Sequence, residues 1–140
     1  MAEEEIQTLV RQQEQAVCRK DVDAAMAFYA PNVVSFDVVD TLQKLGIDAC
    51  RKRLESWLIQ FPGPFLYQVE NLVIVAADSL AFCHSFNHVK GGLATGEKID
   101  MRWRATLCFR KHEGQWQITH EHSSVPFDPE SGKALLLLSE

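Results

Sequence analysis

No two cysteines of this chain stand in a CxxC pair. Cys18, Cys50, Cys83 and Cys108 are scattered along it, which argues against a zinc knuckle. In a reducing compartment they read as small buried hydrophobes rather than disulfide partners. No apolar run approaches the ~20 residues that a membrane-spanning helix needs. Clustered Lys and Arg are missing as well, and the formal net charge is −5. Nucleic acid and membrane are therefore not expected as partners. The opening MAEEEIQ is acidic, where a signal peptide is basic and then apolar; a cytoplasmic protein is expected. No linker, internal repeat or low-complexity segment divides the sequence, so residues 1–140 read as a single domain.

What is present suffices for a core, since 46% of the residues are hydrophobic. Ile6, Leu9, Val10 and Val17 form a stripe at helical spacing. Asp21 reads as the N-cap of a short second helix that Pro31 ends. Residues 33–39 read as a strand. A third helix follows Gly46, with Cys50, Leu54, Trp57, Leu58 and Phe61 on one face, and the Pro-Gly-Pro at 62–64 stops it. From Phe65 onward the pattern is strand, broken by turns at Asp78-Ser79, the Gly91–Gly96 region and Glu113-Gly114. Helices followed by an antiparallel meander predict an α+β domain, with the helices on one face of the sheet.

The last hairpin predicts which side chains point inward. With Glu113 and Gly114 as turn residues, opposed residues share a face. Trp103, Ala105, Leu107, Phe109, Trp116, Ile118, His120 and His122 then face the helices. Arg104, Thr106, Cys108, Thr119, Glu121 and Ser123 face away. In the preceding strand the large apolar set, Leu80, Phe82 and Phe86, should face the helices and carry His84 with it. Three histidines are thus expected inside one sheet, beside the small Ala105. The outer face could meet water or a twin subunit.

Several segments resemble the SnoaL-like, ketosteroid-isomerase-like proteins of the nuclear-transport-factor-2-like superfamily. They are Tyr29-Ala30-Pro31-Asn32-Val33-Val34-Ser35-Phe36-Asp37, Leu80-Ala81-Phe82, His84-Ser85-Phe86-Asn87, Asp100-Met101, Arg104-Ala105-Thr106, Gly114-Gln115-Trp116 and His120-Glu121-His122-Ser123 with Ser124-Val125-Pro126-Phe127. The resemblance implies a cone-shaped curved antiparallel sheet wrapped around N-terminal helices (a cystatin-like α+β roll), a deep pocket and a homodimer. The final strand also resembles the association domain of calcium/calmodulin-dependent kinase, a relative that assembles rather than catalyses. Asn32 stands where Asp is common, and Arg102-Trp103 departs from the family pattern. True ketosteroid isomerases carry a tyrosine on the first helix, and this first helix has none; the two tyrosines are Tyr29 and Tyr67.

The expected function is binding of a small, mostly apolar organic ligand, with cofactor-free isomerisation, cyclisation or hydration by proton transfer. The alternative is a non-catalytic binding or association module. Asp37 is the candidate base, because a carboxylate in an apolar pocket can be tuned towards neutrality. His120 is the second catalytic candidate, its ordinary pKa of ~6.5 suiting proton transfer. Trp57, His84, Trp103 and His122 are candidate ligand contacts. The histidines read equally as hydrogen-bonded wall residues. Metal binding by His84, His120 and His122 would need convergence across strands spaced ~4.8 Å apart; neither a metal nor a cofactor is expected.

Overall fold

The computed structural model describes residues 1–137. Helix α1, Ala2–Cys18, buries Ile6, Leu9, Val10, Ala16 and Val17 along one stripe. The Asp21 side chain caps α2, Val22–Met26, accepting from the Ala24 amide at 3.1 Å. That helix ends before Pro31, and strand β1, Tyr29–Phe36, starts earlier than the alternation at 33–39 suggested. Pro31 lies where the β1 ladder is irregular, between Tyr29 and Val34. A residue without an N–H is tolerated there because no ladder bond is lost. Next come β2, Lys44–Leu45, and α3, Ile47–Ile59, entered through Gly46 at φ 89°. Four long strands complete the chain: β3, Leu66–Ala76; β4, Leu80–Gly92; β5, Lys98–His112; and β6, Gln115–Ser124.

The strands form one six-stranded curved sheet in the order β2-β1-β6-β5-β4-β3. Every neighbouring pair is antiparallel except β1 with β6, which run parallel. The helices cover the concave side, where Ile6, Leu9, Val10, Val33, Phe109, Trp116 and Ile118 share a core. The β5–β6 turn is at Glu113 (φ 49°) and Gly114 (φ 80°), both left-handed, as a tight two-residue hairpin requires.

The hairpin register follows the sequence reading near that turn and departs from it further out. His112 faces Gln115 and Phe109 faces Ile118, but Cys108 then faces His120, Leu107 faces Glu121 and Thr106 faces His122. Thr119 is an extra residue on β6, a β-bulge. It exchanges the two faces of the strand from that point on. Glu121 and Ser123 therefore turn to the concave side, and His120 and His122 to the convex side.

Strand β4 also corrects the expectation. It divides into the predicted two sets, but Ala81, Cys83 and Asn87 are buried while Leu80, Phe82, His84 and Phe86 are exposed. Its ladder with β5 sets Cys83 opposite Leu107, Ser85 opposite Ala105 and Asn87 opposite Trp103. The small side chains leave room on the concave side, and the larger ones are turned out. Cys50 and Cys83 are buried as the sequence suggested; Cys108 is half-buried and Cys18 exposed. Of the leucine-rich tail at 134–138, Ala134 bridges to Phe127 and the Leu136 carbonyl accepts from the Arg102 amide at 2.8 Å. That docks the tail on the body; Leu138 lies outside the described residues.

Candidate functional site

Between the concave face and the helices lies a cavity of about 250 Å³, lined by residues of α1, α3 and every strand. Its chemistry is organised by one row of the sheet. Lys44 on β2 pairs with Ser35 on β1, which pairs with Glu121 on β6. Directly opposed residues project to one side, so ammonium, hydroxyl and carboxyl share the cavity wall.

The Glu121 carboxyl is accessible only partly, and burial raises its pKa above the ordinary 4.5. A hydrogen bond from the Tyr29 hydroxyl opposes that rise, and the nearby Asp37 charge adds to it. Gln13 Nε2 donates in turn to the Tyr29 oxygen at 3.2 Å. A second polar chain runs along β4. Ser85 Oγ donates to Asn87 Oδ1 at 2.8 Å, and Asn87 Nδ2 donates to the Tyr67 oxygen at 3.1 Å. Because Tyr67 accepts from Asn87, its own O–H proton can point into the cavity. Burial, then the charge of Glu121, raises the pKa of Tyr67 and keeps the phenol protonated. Tyr29 is raised for the same two reasons. The Cys50 thiol, also in the wall, is pushed up to about 11 by burial, which removes it as a nucleophile near neutrality.

Aromatic rings supply an apolar wall. Trp57 meets Trp103 edge-on at 6.2 Å between centroids, and Tyr67 lies 6.0 Å from Trp57 and 6.1 Å from Trp103. Asp37 also lines the cavity, but its carboxylate is engaged. Oδ2 accepts from Arg53 Nε at 2.7 Å and lies 3.6 Å from Lys44 Nζ, while Oδ1 accepts from the Val38 amide at 2.7 Å. Such a carboxylate orients its cationic neighbours and is poorly placed to take a proton from a ligand.

Of the sequence-predicted residues, Asp37, Trp57 and Trp103 thus come together in the cavity wall. The three histidines do not. His84 and His122 lie exposed on the convex face, flanking Thr106 from either side. His120 donates Nδ1–H to the Val34 carbonyl at 2.7 Å and packs against Phe36, whose ring also meets His122. The bulge at Thr119 explains the two on β6, and the reversed faces of β4 explain His84. Among the described residues no group of three or more His, Cys, Asp or Glu side chains could hold a metal ion. Sequence reasoning missed Glu121, Tyr29, Tyr67, Lys44, Arg53 and Asn87. Tyr67 and Val69 alternate in β3 and could have been found by period; Glu121 could not, because nothing in its neighbourhood marks the bulge.

Residues 6–128 match the family of SnoaL-like domains. No curated protein matches the chain. Among solved structures, an NTF2-like protein of unknown function from Pseudomonas putida KT2440 is 37% identical. The alignment covers 99% of this chain and 96% of that one, with a TM-score of 0.90. An NTF2-like protein from Streptomyces avermitilis that carries a provisional dehydratase name shares the fold at 13% identity, covering 86% and 93% of the two chains with a TM-score of 0.74. A protein with a cystatin-like fold from Nostoc punctiforme does so at 19% identity, covering 89% and 90%, with a TM-score of 0.69.

Proposed function

The chain belongs to the SnoaL-like domain family, and on that footing we propose that it catalyses cofactor-free proton transfer on a small, mostly apolar carbonyl compound held in the concave cavity. The observation that carries this reading is Glu121. It is a carboxyl in the cavity wall whose pKa burial raises towards the range of a useful base. Glu121 takes a proton from the carbon beside the ligand's carbonyl. The Tyr67 O–H donates a hydrogen bond to the oxygen on which negative charge develops. Glu121 then returns the proton to a second carbon, which completes an isomerisation with no net change in protons. Trp57 and Trp103 hold the apolar body. Asp37 fixes Arg53 and Lys44 at the β2 side.

A substrate-independent test is deuterium uptake. In D₂O, β,γ-unsaturated ketones that fit the cavity should gain deuterium beside the carbonyl faster than in buffer, and Glu121→Gln should stop it. Equal uptake by Glu121→Gln and the natural chain would sink the assignment.

Assembly as a homodimer through the convex face is part of the same proposal. Val75 faces Phe82 across β3–β4, and both are exposed, as are Val73, Leu80 and Phe86 beside them. Contiguous apolar surface of this kind marks an interaction site. It also favours the second reading, an association module without turnover. Light scattering on the purified protein reads the dimer, and deuterium uptake separates the two readings. No helix among the described residues is long and apolar enough to cross a membrane.

A further inference from the structure

Each phenol of the cavity is met by an amide nitrogen, and at Tyr29 a backbone carbonyl fixes the direction of the whole chain of hydrogen bonds. Gln13, on α1, reaches two oxygens with its Nε2: the Ala25 carbonyl at 3.3 Å and the Tyr29 hydroxyl at 3.2 Å. Ala25 lies in the last turn of α2, where carbonyls lack helical donors. A carbonyl oxygen only accepts, so Gln13 must turn its NH₂ group, and not its oxygen, towards Ala25. The same NH₂ group then donates to Tyr29. A phenol has one proton. With its oxygen accepting from Gln13, that proton goes to the other neighbour, the Glu121 carboxylate. Gln13, Tyr29 and Glu121 all line the cavity.

We infer that Gln13 and Tyr29 are positioning residues for Glu121: the Ala25 carbonyl orients the Gln13 amide, the amide commits the Tyr29 proton to the carboxylate, and the carboxylate is thereby held as an anion in one orientation. This rests on the reading of Glu121 as the base and adds what keeps it ready. Without the phenol, burial favours the protonated acid, which takes no proton from a ligand. The other groups around the carboxylate do not replace it. Asp37, after β1, opposes ionisation, while Lys44 on β2 and His120 on β6 favour it less than the Tyr29 hydroxyl does. Lys44 also lies 3.6 Å from Asp37 and shares its charge with that second carboxylate. On α3, Arg53 is tied to Asp37 at 2.7 Å, and the Cys50 thiol, pushed up to about 11, is uncharged near neutrality. Tyr67 on β3 is likewise a neutral phenol.

The test follows the Glu121 carboxyl by its carbon resonance in the full chain as pH is varied, the signal being identified by its loss in Glu121→Gln. In Tyr29→Phe the carboxyl should bind its proton about tenfold more tightly, the worth of one hydrogen bond to a charged group. The acid limb of deuterium uptake should move to higher pH by the same amount. An unmoved midpoint overturns the inference. Gln13→Glu puts an acceptor where the donor was, so Tyr29 turns its proton to the new carboxylate and the Glu121 midpoint rises again. The added charge raises it as well, and the double variant separates the two causes. In the Tyr29→Phe background, with no proton to redirect, Gln13→Glu should add little; full additivity overturns the link. In the natural chain the Tyr29 Cζ resonance should titrate together with the Glu121 carboxyl, and a Tyr29 signal that ignores that midpoint overturns the inference without any substitution. The base reading fails separately. A midpoint that moves in Tyr29→Phe without any deuterium uptake in the natural chain upholds the positioning of a carboxyl that binds without turnover. Uptake lost in Glu121→Gln, with an unmoved midpoint in Tyr29→Phe, keeps the base and overturns this inference alone.

Discussion

Glu121 and His122 are neighbours in the chain and meet opposite surroundings. Glu121 looks into a cavity where burial governs its protonation, on a wall shared with two phenols, a lysine and two indoles. His122 is exposed on the convex face beside Phe36. The same contrast runs along β4, where Cys83 and Asn87 are buried while His84 and Phe86 lie outside. On β4 the concave side carries small and polar side chains, and Asn87 and Ser85 there have defined partners. The convex face carries large apolar side chains and the histidines. On β4 and at the end of β6, histidines and large apolar residues have exchanged sides with small and polar ones, which leaves a void on the concave side.

This contrast can be broken experimentally, and the largest effect should come from the concave side. Glu121→Gln should slow deuterium uptake by roughly 10²–10⁴-fold, the usual worth of a positioned general base. His84→Ala and His122→Ala should leave uptake within about twofold, as expected of side chains remote from the reacting atoms. A histidine variant that matched Glu121→Gln would reverse the assignment of faces.

Next in size is an effect confined to the convex side. The double substitution Phe82→Asp, Phe86→Asp should weaken the proposed dimer by roughly 100-fold or more, since buried aromatic anchors commonly carry over 2 kcal/mol each. Sedimentation should then find monomers, with deuterium uptake read in parallel on the same sample. An unchanged dimer would move the interface elsewhere.

A third measurement sharpens the concave side alone. Because burial raises the Glu121 pKa above 4.5, the folded chain binds that proton more tightly than the unfolded chain does. The resulting stability is complete below pH 4.5 and is lost as pH rises through the raised value. Glu121→Gln lacks this loss. Its Tm relative to the natural chain should therefore rise between pH 4 and pH 8, and a flat difference would contradict the burial of the carboxyl.

The smallest effect compares two adjacent glycines. A Cβ on Gly91 would stand 2.8 Å from the Phe65 Cβ, whereas one on Gly92 meets nothing within 4 Å. Gly91→Ala should lower Tm by a few degrees, corresponding to about 1–2 kcal/mol of overpacking. Gly92→Ala should leave it nearly unchanged. Equal shifts would mean that β4 does not keep its two faces distinct there.

The sequence disclosed the fold through local signals: the stripe of Ile6, Leu9 and Val10, the cap at Asp21, the turn at Glu113-Gly114, and strands whose alternation is sustained. The stripe and the alternating strands have a fixed period, and each residue in them adds to the same signal. The site depended on a single residue of phase. Every inward assignment on β6 up to Ile118 agrees with the structure, and every one beyond Thr119 is inverted. A bulge adds one residue without changing composition, so nothing in THEHSS identifies which threonine or histidine is the extra one. The orientation of β4 was hidden differently. Both its sets contain apolar residues, and ranking them by size favoured the wrong one, since on this strand the small side chains face the void. Trp57 and Trp103 were found because their periodicity is unambiguous on α3 and β5.

The parallel pairing of β1 with β6 carries a consequence for how the chain is made. It joins Val34 to His120 across 86 residues, and Ser35 to Glu121 beside them. Contacts so distant in sequence are slow to form, because a long loop must close before they are gained. Chains synthesised from the N-terminus acquire their helices early, but Lys44 and Ser35 wait for the last strand before Glu121 joins their row. The row of Lys44, Ser35 and Glu121 is thus closed only once β6 has been made, late in the assembly of the domain.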